Sequence, residues 1–297
     1  MKYIALLGLL AVALACGGAN NDSAPVADEI VPLPTGPGSV AASDGVSIAY
    51  TVSGTGSPTL VFIHGWMCDQ SFWAAQVADF SASNTVITID LPGHGLSGME
   101  RDGWSMMAYG ADVQSVVEHF DLTDAVLIGH SMGAPVALEA ARLMPERAIG
   151  VIAIDALHDA DAKYDSEQME GFLAAFESDF VGTCGQFSAS MFPEDADPAL
   201  VERVTNAMCD GSPEIAIALT REFFNYEMGP ALSVVDSPVR YINSDMWLTN
   251  VEANRKYQPN FDGLVMEGVG HFLMMAAPGD FNGLLKQIIE NLDRPIG

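Results

Sequence analysis

The chain of 297 residues carries 12 Lys and Arg against 39 Asp and Glu, a net charge of −27. A surface this acidic repels phosphate, which excludes a nucleic-acid backbone as partner and leaves the acidity as a solvated face. With 49% hydrophobic residues the chain is too apolar to be disordered. It is long enough for one large core, with or without an inserted lid.

The amino end reads as an export signal. Lys2 is followed by an apolar run from Ile4 to Leu14, too short to span a bilayer, and then by Ala15 and Cys16. Ala13-Leu14-Ala15-Cys16 resembles a bacterial lipobox, with Ala13 where Leu is usual. The resemblance implies lipidation of Cys16 and a membrane anchor made stable by more than one acyl chain. Gly17 stands in place of an inner-membrane-retaining Asp, which favours the outer membrane or another periplasm-facing site. Residues 17–39 are rich in Gly, Asn, Ala and Pro without apolar periodicity and are expected to be a tether. In an oxidising compartment Cys184 and Cys209, which share one segment, are the expected disulfide. Cys68 is expected to be a small buried residue. No cluster of Cys, His and carboxylates has zinc-ligand spacing, so neither metal nor cofactor is indicated.

Beyond the Asp44-Gly45 turn signal, Val46 to Val52 alternates as a half-buried strand, and Thr59 to Ile63 is a continuous apolar run, as in a strand covered on both faces. His64-Gly65-Trp66 follows it, and Gln70 to Phe80 has helical spacing. Thr85 to Asp90 is a strand ending in the glycine-rich Leu91-Pro92-Gly93-His94-Gly95-Leu96-Ser97, and Ser105 to Phe120 is a helix. Ala125 to Ile128 is a strand that runs into Gly129-His130-Ser131-Met132-Gly133 and a small-residue helix from Ala134 to Ala141. Strand, sharp turn and helix would hold Ser131 on strained backbone with its hydroxyl at the sheet edge. Ile149 to Asp155 is the next buried strand.

From Leu157 to Leu232 the pattern changes to helices rich in Phe and Met, the character of an inserted cap. Strands resume at Pro238–Ile242 and Gly263–Glu267, and an amphipathic helix from Asp280 to Leu292 closes the chain. This alternation predicts an α/β fold, a doubly wound and mostly parallel sheet interrupted by the cap, with the core formed by 40–156 and 233–297.

Taken together, His64-Gly65, Asp90 to Ser97, Gly129-His130-Ser131-Met132-Gly133 and Gly268-Val269-Gly270-His271-Phe272 resemble the α/β-hydrolase fold family in both motif and order, over roughly Ser43 to Leu292. The resemblance implies Ser131 as nucleophile and His271 as its base, because a serine hydroxyl needs a neighbouring base to take its proton. A carboxylate must then orient the imidazole. It should follow the Val239–Ile242 strand, and Asp245 is the candidate, although Asn243-Ser244-Asp245 departs from the family's Gly-x-x-Asp. Asp155, at the end of the preceding strand, is the second candidate and Asp236 the third. The oxyanion donors are expected to be the backbone N–H groups of Met132 and Trp66, with the Trp66 side chain as a pocket wall. His64 and His94 are expected to hold loops, whereas His119 and His158 have no motif around them.

The chemistry implied is a serine hydrolase that forms an acyl-enzyme on a small, neutral carboxylic ester or related carbonyl compound with hydrophobic parts. Perhydrolases, lactonases, C–C bond hydrolases and acyltransferases share the triad. The family's dehalogenases and epoxide hydrolases carry Asp where Ser131 stands. A non-catalytic surface binding protein on the same fold is the reading of a different class.

Overall fold

In a computed structural model, residues 33–295 are described. The apolar leader, Cys16 and the tether as far as residue 32 lie outside the described residues.

An eight-stranded sheet with strand order β1-β2-β4-β3-β5-β6-β7-β8 forms the centre. β1 (Gly36–Ala41) and β2 (Ser47–Ser53) are antiparallel, and β2 joins β4 (Val86–Asp90) antiparallel. From there β3 (Thr59–Ile63), β5 (Ala125–His130), β6 (Ala148–Ile154), β7 (Val239–Ser244) and β8 (Asp262–Met266) run parallel. The buried strands β3, β4 and β5 expose no residue, as their continuous apolar runs require.

The expected tether is shorter than 17–39, because Gly36–Ala41 is an edge strand. A strand paired on one side through Gly36, Pro37 and Gly38 gives no alternating apolar signal, and Pro37 at an edge need not donate to a second neighbour.

Helices cover both faces. A 3-10 turn (Gln70–Trp73) leads into α1 (Ala74–Phe80); α2 (Met106–His119) and α3 (Gly133–Leu143) pack together over β5 and β6. Between β6 and β7 lie α4 (Ser166–Ser178), α5 (Phe180–Ala189), α6 (Pro198–Cys209), α7 (Pro213–Asn225) and α8 (Met228–Ser233), the stretch in which the cap was expected. After β7 come α9 (Val251–Arg255), α10 (Leu273–Ala276) and α11 (Pro278–Glu290). Side-chain caps start most of the insertion helices: Asp165, Asp179, Asp197 and Ser212 each accept a backbone N–H from the first turn.

Cys184 of α5 and Cys209 of α6 form the expected disulfide, with Cα atoms 5.7 Å apart. It closes a loop across a sequence separation of 25 residues. A cross-link of that length stabilises a folded unit by about 3 kcal/mol through the entropy it removes from the unfolded chain. The double substitution Cys184→Ser, Cys209→Ser should therefore lower the protection of α5 and α6 amides against hydrogen exchange by about two orders of magnitude while leaving β3 and β5 unchanged.

The register of the parallel strands sets the site. Ile63 stands beside both Ile89 and Gly129, His130 beside Ile154, and Ile154 beside Ile242. The residues that follow, His64, Asp90, Ser131, Asp155 and Asn243, consequently emerge along one edge of the sheet, the carboxyl end where open α/β sheets place their sites.

Candidate active site

Ser131 follows β5 directly and has φ of 51°, a left-handed conformation that costs a non-glycine residue about 1–2 kcal/mol. The turn is held from several sides. Ser131 N–H donates to the Ile154 carbonyl at 2.9 Å, and its own carbonyl accepts from Ala134 N–H at 3.0 Å. The flanking glycines are sterically required. A Cβ on Gly129 would collide with the Gly133 carbonyl, and one on Gly133 would lie 2.5 Å from the Ile63 carbonyl oxygen. Helix α3 thus starts against the end of β3, as the expected strand–turn–helix demands.

The His64-Gly65-Trp66 turn packs on the same spot. A Cβ at Gly65 would lie 3.2 Å from the Ser131 Cβ. Among the described residues no acceptor takes the backbone N–H of Trp66 or of Met132, so both expected donors are free beside Ser131. The Trp66 side chain turns to the cap: its indole N–H donates to the Ala216 carbonyl of α7 at 3.0 Å, and its ring meets Phe176 and Phe187 edge-on.

His271 sits in the loop before α10, buried. Its Nδ1 lies 2.6 Å from Asp155 Oδ2. Asp245, the first candidate for the acid, is not at the imidazole. It is exposed, its N–H donates to the Met266 carbonyl, and its Oδ1 accepts from Gly268 N–H at 2.8 Å. It closes the turn after β8, a loop-capping carboxylate. Asp236 precedes β7, at the opposite end of that strand from His271's partner.

Asp155 has φ of 45° and Leu157 of 53°, so the chain leaving β6 carries strain at two non-glycine positions. Two buried asparagines clamp it. Asn243 Oδ1 accepts from Ala156 N–H at 3.1 Å while its Nδ2 donates to the Ala156 carbonyl at 3.0 Å. Asn254 Oδ1 accepts from Ala160 N–H at 2.7 Å, and its Nδ2 donates to the Leu157 carbonyl at 2.5 Å. Ser244 N–H donates to Asp155 Oδ1 at 2.6 Å. Burial alone would push the Asp155 carboxyl up. The hydrogen bond and charge of His271, the Ser244 N–H and the nearby His158 outweigh burial and hold it below the ordinary carboxylate range.

Sequence reasoning missed Asn243 in this role, although its signal was visible: Asn243-Ser244 replaces the family's glycine pattern after β7. That strand end holds Asp155 of its neighbour instead of placing Asp245 at the imidazole. His130, in the variable slot before the serine, also has a role that its motif does not announce. Its Nε2 donates to the His271 backbone carbonyl at 3.0 Å and its ring lies 4.6 Å from the His271 ring, tying the serine turn to the His271 loop. Burial drops His130 to about 3, so it stays neutral and keeps one donor nitrogen.

His64 and His94 hold loops as expected. His64 Nε2 accepts from Leu91 N–H at 2.9 Å and its Nδ1 donates to the Gly65 carbonyl at 2.8 Å. His94 Nδ1 faces the Pro92 carbonyl at 3.2 Å. Burial lowers His64 to about 4 and His94 to about 3. Cys68 is buried as expected, its thiol pushed up by desolvation.

The cap grips the His271 loop directly. His271 N–H donates to the Met191 carbonyl at 2.9 Å, and Phe192 stacks on Phe272 at 5.2 Å. A Cβ on Gly270 would lie 2.8 Å from that same carbonyl oxygen, so this glycine, with φ of 67°, is needed for the approach.

A family model described as the alpha/beta hydrolase family matches residues 60–284. Among curated proteins, the chain is 28% identical over 257 residues to the dihydrolipoyllysine-residue acetyltransferase component of the acetoin cleaving system of Cupriavidus necator, covering 82% of this chain and 67% of that one. Among solved structures, it resembles Est816, described as an N-acyl homoserine lactone degrading enzyme, with a TM-score of 0.72 and 25% identity over 84% of this chain and 99% of the other. A thermophilic esterase from Thermogutta terrifontis superposes with a TM-score of 0.75 at 20% identity, covering 86% of this chain and 98% of that one.

Proposed function

Because the chain belongs to the alpha/beta hydrolase family, we propose that it is a serine hydrolase acting through Ser131, His271 and Asp155 on carboxylic esters with hydrophobic parts. The observation that carries this reading is the 2.6 Å contact of His271 Nδ1 with buried Asp155, in a loop tied through His130 to a serine held in left-handed backbone.

The steps follow from the donors and acceptors present. Nδ1–H of His271 is given to Asp155, which leaves Nε2 as the basic nitrogen. Ser131 Oγ attacks the ester carbonyl carbon while His271 Nε2 takes the hydroxyl proton. The oxyanion is met by the free N–H groups of Met132 and Trp66. Collapse breaks the C–O bond to the alcohol, which leaves with the proton from His271. Water, deprotonated by the same nitrogen, then releases the acid and restores Ser131. Asp155 stays ionised throughout, because its environment favours the carboxylate.

Substrate character rests on the cap and the charge. Phe172, Phe176, Phe187 and Phe224 form an edge-to-face cluster that meets Trp66, an apolar wall reaching the serine's turn. The net charge of −27 disfavours anionic substrates. A fluorophosphonate probe should label the folded parent on Ser131 and leave Ser131→Ala unlabelled. A panel of short and long p-nitrophenyl esters, together with lactones because of the likeness to Est816, should be cleaved by the parent at least about a thousandfold faster than by Ser131→Ala. Equal background cleavage by both proteins would remove the hydrolase reading and leave the binding-protein one.

A further inference from the structure

His158 lies three residues past Asp155, and its Nε2 is 4.0 Å from Asp155 Oδ1. His158 Nε2 is buried and has no hydrogen-bond partner among the described residues. The other ring nitrogen fixes which tautomer is present. Asn243 is locked by its paired bonds to the N–H and carbonyl of Ala156, so its Nδ2 can only donate. That Nδ2 lies 3.3 Å from His158 Nδ1 and 2.7 Å from Thr249 Oγ1, and Thr249 Oγ1 is itself 3.4 Å from Nδ1. The amide donor of Asn243 thus faces Nδ1, while the acceptor Asp155 Oδ1 lies on the side of Nε2. This pairing favours the neutral ring whose proton is on Nε2, on the side of the Asp155 carboxylate.

We propose that His158 is a positioning residue for the reaction: its Nε2–H dipole, set by Asn243 and Thr249, faces Asp155 Oδ1 and keeps Oδ2 turned to His271. The proposal rests on the reading of Asp155 and His271 as acid and base. At 4.0 Å the contact is too long for a hydrogen bond and acts as a charge–dipole interaction in a buried setting. Ser244 N–H supplies the direct bond on the same oxygen. Trp247 closes the arrangement, its ring edge-on to both His158 at 5.7 Å and His271 at 5.3 Å. Burial pulls His158 below the ordinary imidazole range against the opposing field of Asp155, in keeping with a neutral ring. The titratable groups around the pair are Asp155 from the end of β6, His271 from the loop before α10, His130 from the end of β5 and His158 itself.

The sign of the effect on the base can be derived. The positive end of the Nε2–H dipole offsets part of the Asp155 charge that favours a protonated His271. Removing the dipole should move the acidic limb of kcat/KM upward. It should also lower kcat, because a carboxylate whose Oδ1 keeps only the Ser244 N–H is held less firmly against the imidazole.

The test uses His158→Phe, which keeps a ring against Trp247, and His158→Gln, whose side-chain amide can still donate to Asp155. On a p-nitrophenyl ester, His158→Phe should lose about tenfold in kcat at constant KM, with the acidic limb raised by about half a unit. His158→Gln should recover most of both. Nitrogen-15 NMR of the resting protein reads the same thing without turnover: the His158 ring should show the Nε2–H tautomer, and the signal of the His271 Nδ1–H that faces Asp155 should move in His158→Phe. Parent-like kcat and an unmoved limb in His158→Phe would overturn the proposal. So would equal losses in both variants with no movement of the limb or of the His271 Nδ1–H signal, since that marks a packing role. Absence of fluorophosphonate labelling in the parent would instead strike the acid–base reading, while the NMR arm would still decide the His158–Asp155 coupling.

Discussion

Asp155→Asn should lower kcat for the proposed ester hydrolysis by about three to four orders of magnitude, while Asp245→Asn should stay within about threefold of the parent. The asymmetry follows from where each carboxylate sits. Asp155 is buried, accepts from Ser244 N–H and faces His271 Nδ1 at 2.6 Å. An amide there can present an N–H to Nδ1, which drives the imidazole into the tautomer whose Nε2 carries the proton and cannot accept one from Ser131. The variant also lacks the charge that stabilises the imidazolium. KM should change little, because no substrate contact is removed. Asp245 accepts one backbone N–H in an exposed turn, and an asparagine carbonyl can accept it equally well. Steady-state kinetics of the two variants side by side make the measurement. The reverse ranking would return the role to Asp245 and leave the 2.6 Å contact as a structural ion pair.

Arg101→Met should cost about 3–5 kcal/mol of folding stability. The Arg101 side chain is 4% exposed and that of Asp112 on α2 is 2% exposed. Two parallel 2.7 Å bonds join the guanidinium to Asp112, and its Nε reaches Asp44 at the β1–β2 turn, also at 2.7 Å. Its charge also lies over the rings of Trp104 and Tyr109, and Tyr109 donates to the Pro92 carbonyl of the glycine-rich loop. Burial pushes the Asp112 carboxyl up even with Arg101 in place. Removing Arg101 leaves a buried carboxylate with no charge to meet it, whereas replacing both partners removes the penalty as well as the attraction. Urea denaturation should therefore find the double variant Arg101→Met, Asp112→Leu nearer to the parent than the single one. A loss below about 1 kcal/mol in Arg101→Met would class the pair with exposed salt bridges.

How much of the site was legible depended on whether a role is encoded locally. Ser131 and Met132 belong to one strand–turn–helix segment whose glycines are dictated by contacts within a few residues and with the adjoining β3. The sequence around them carries the geometry. His271 is likewise marked by Gly268 and Gly270, both of which adopt positive φ. The cap was legible because a long stretch lacking buried strands cannot belong to the sheet, and its disulfide because both cysteines fall within it. β1 was not, since an edge strand of Gly and Pro has no alternation to read.

The sequence by itself determined the fold class and marked the proposed nucleophile, base and two backbone donors, because each is written into a short segment with its own turn chemistry. Only the tertiary structure ranked the candidates for the proposed third partner. Asp155 and Asp245 both follow parallel strands that end at the same edge, and nothing within either loop ranks them. The choice is made by register: β6 lies beside β5 and one step nearer Ser131 than β7 does, and Asn243 and Ser244 spend their hydrogen-bonding groups on holding the β6 loop. His158 is decided the same way. It has no motif around it, yet the strained backbone after Asp155 and the clamp on Ala156 bring its ring to the carboxylate, an arrangement that exists only once β6 and β7 are paired.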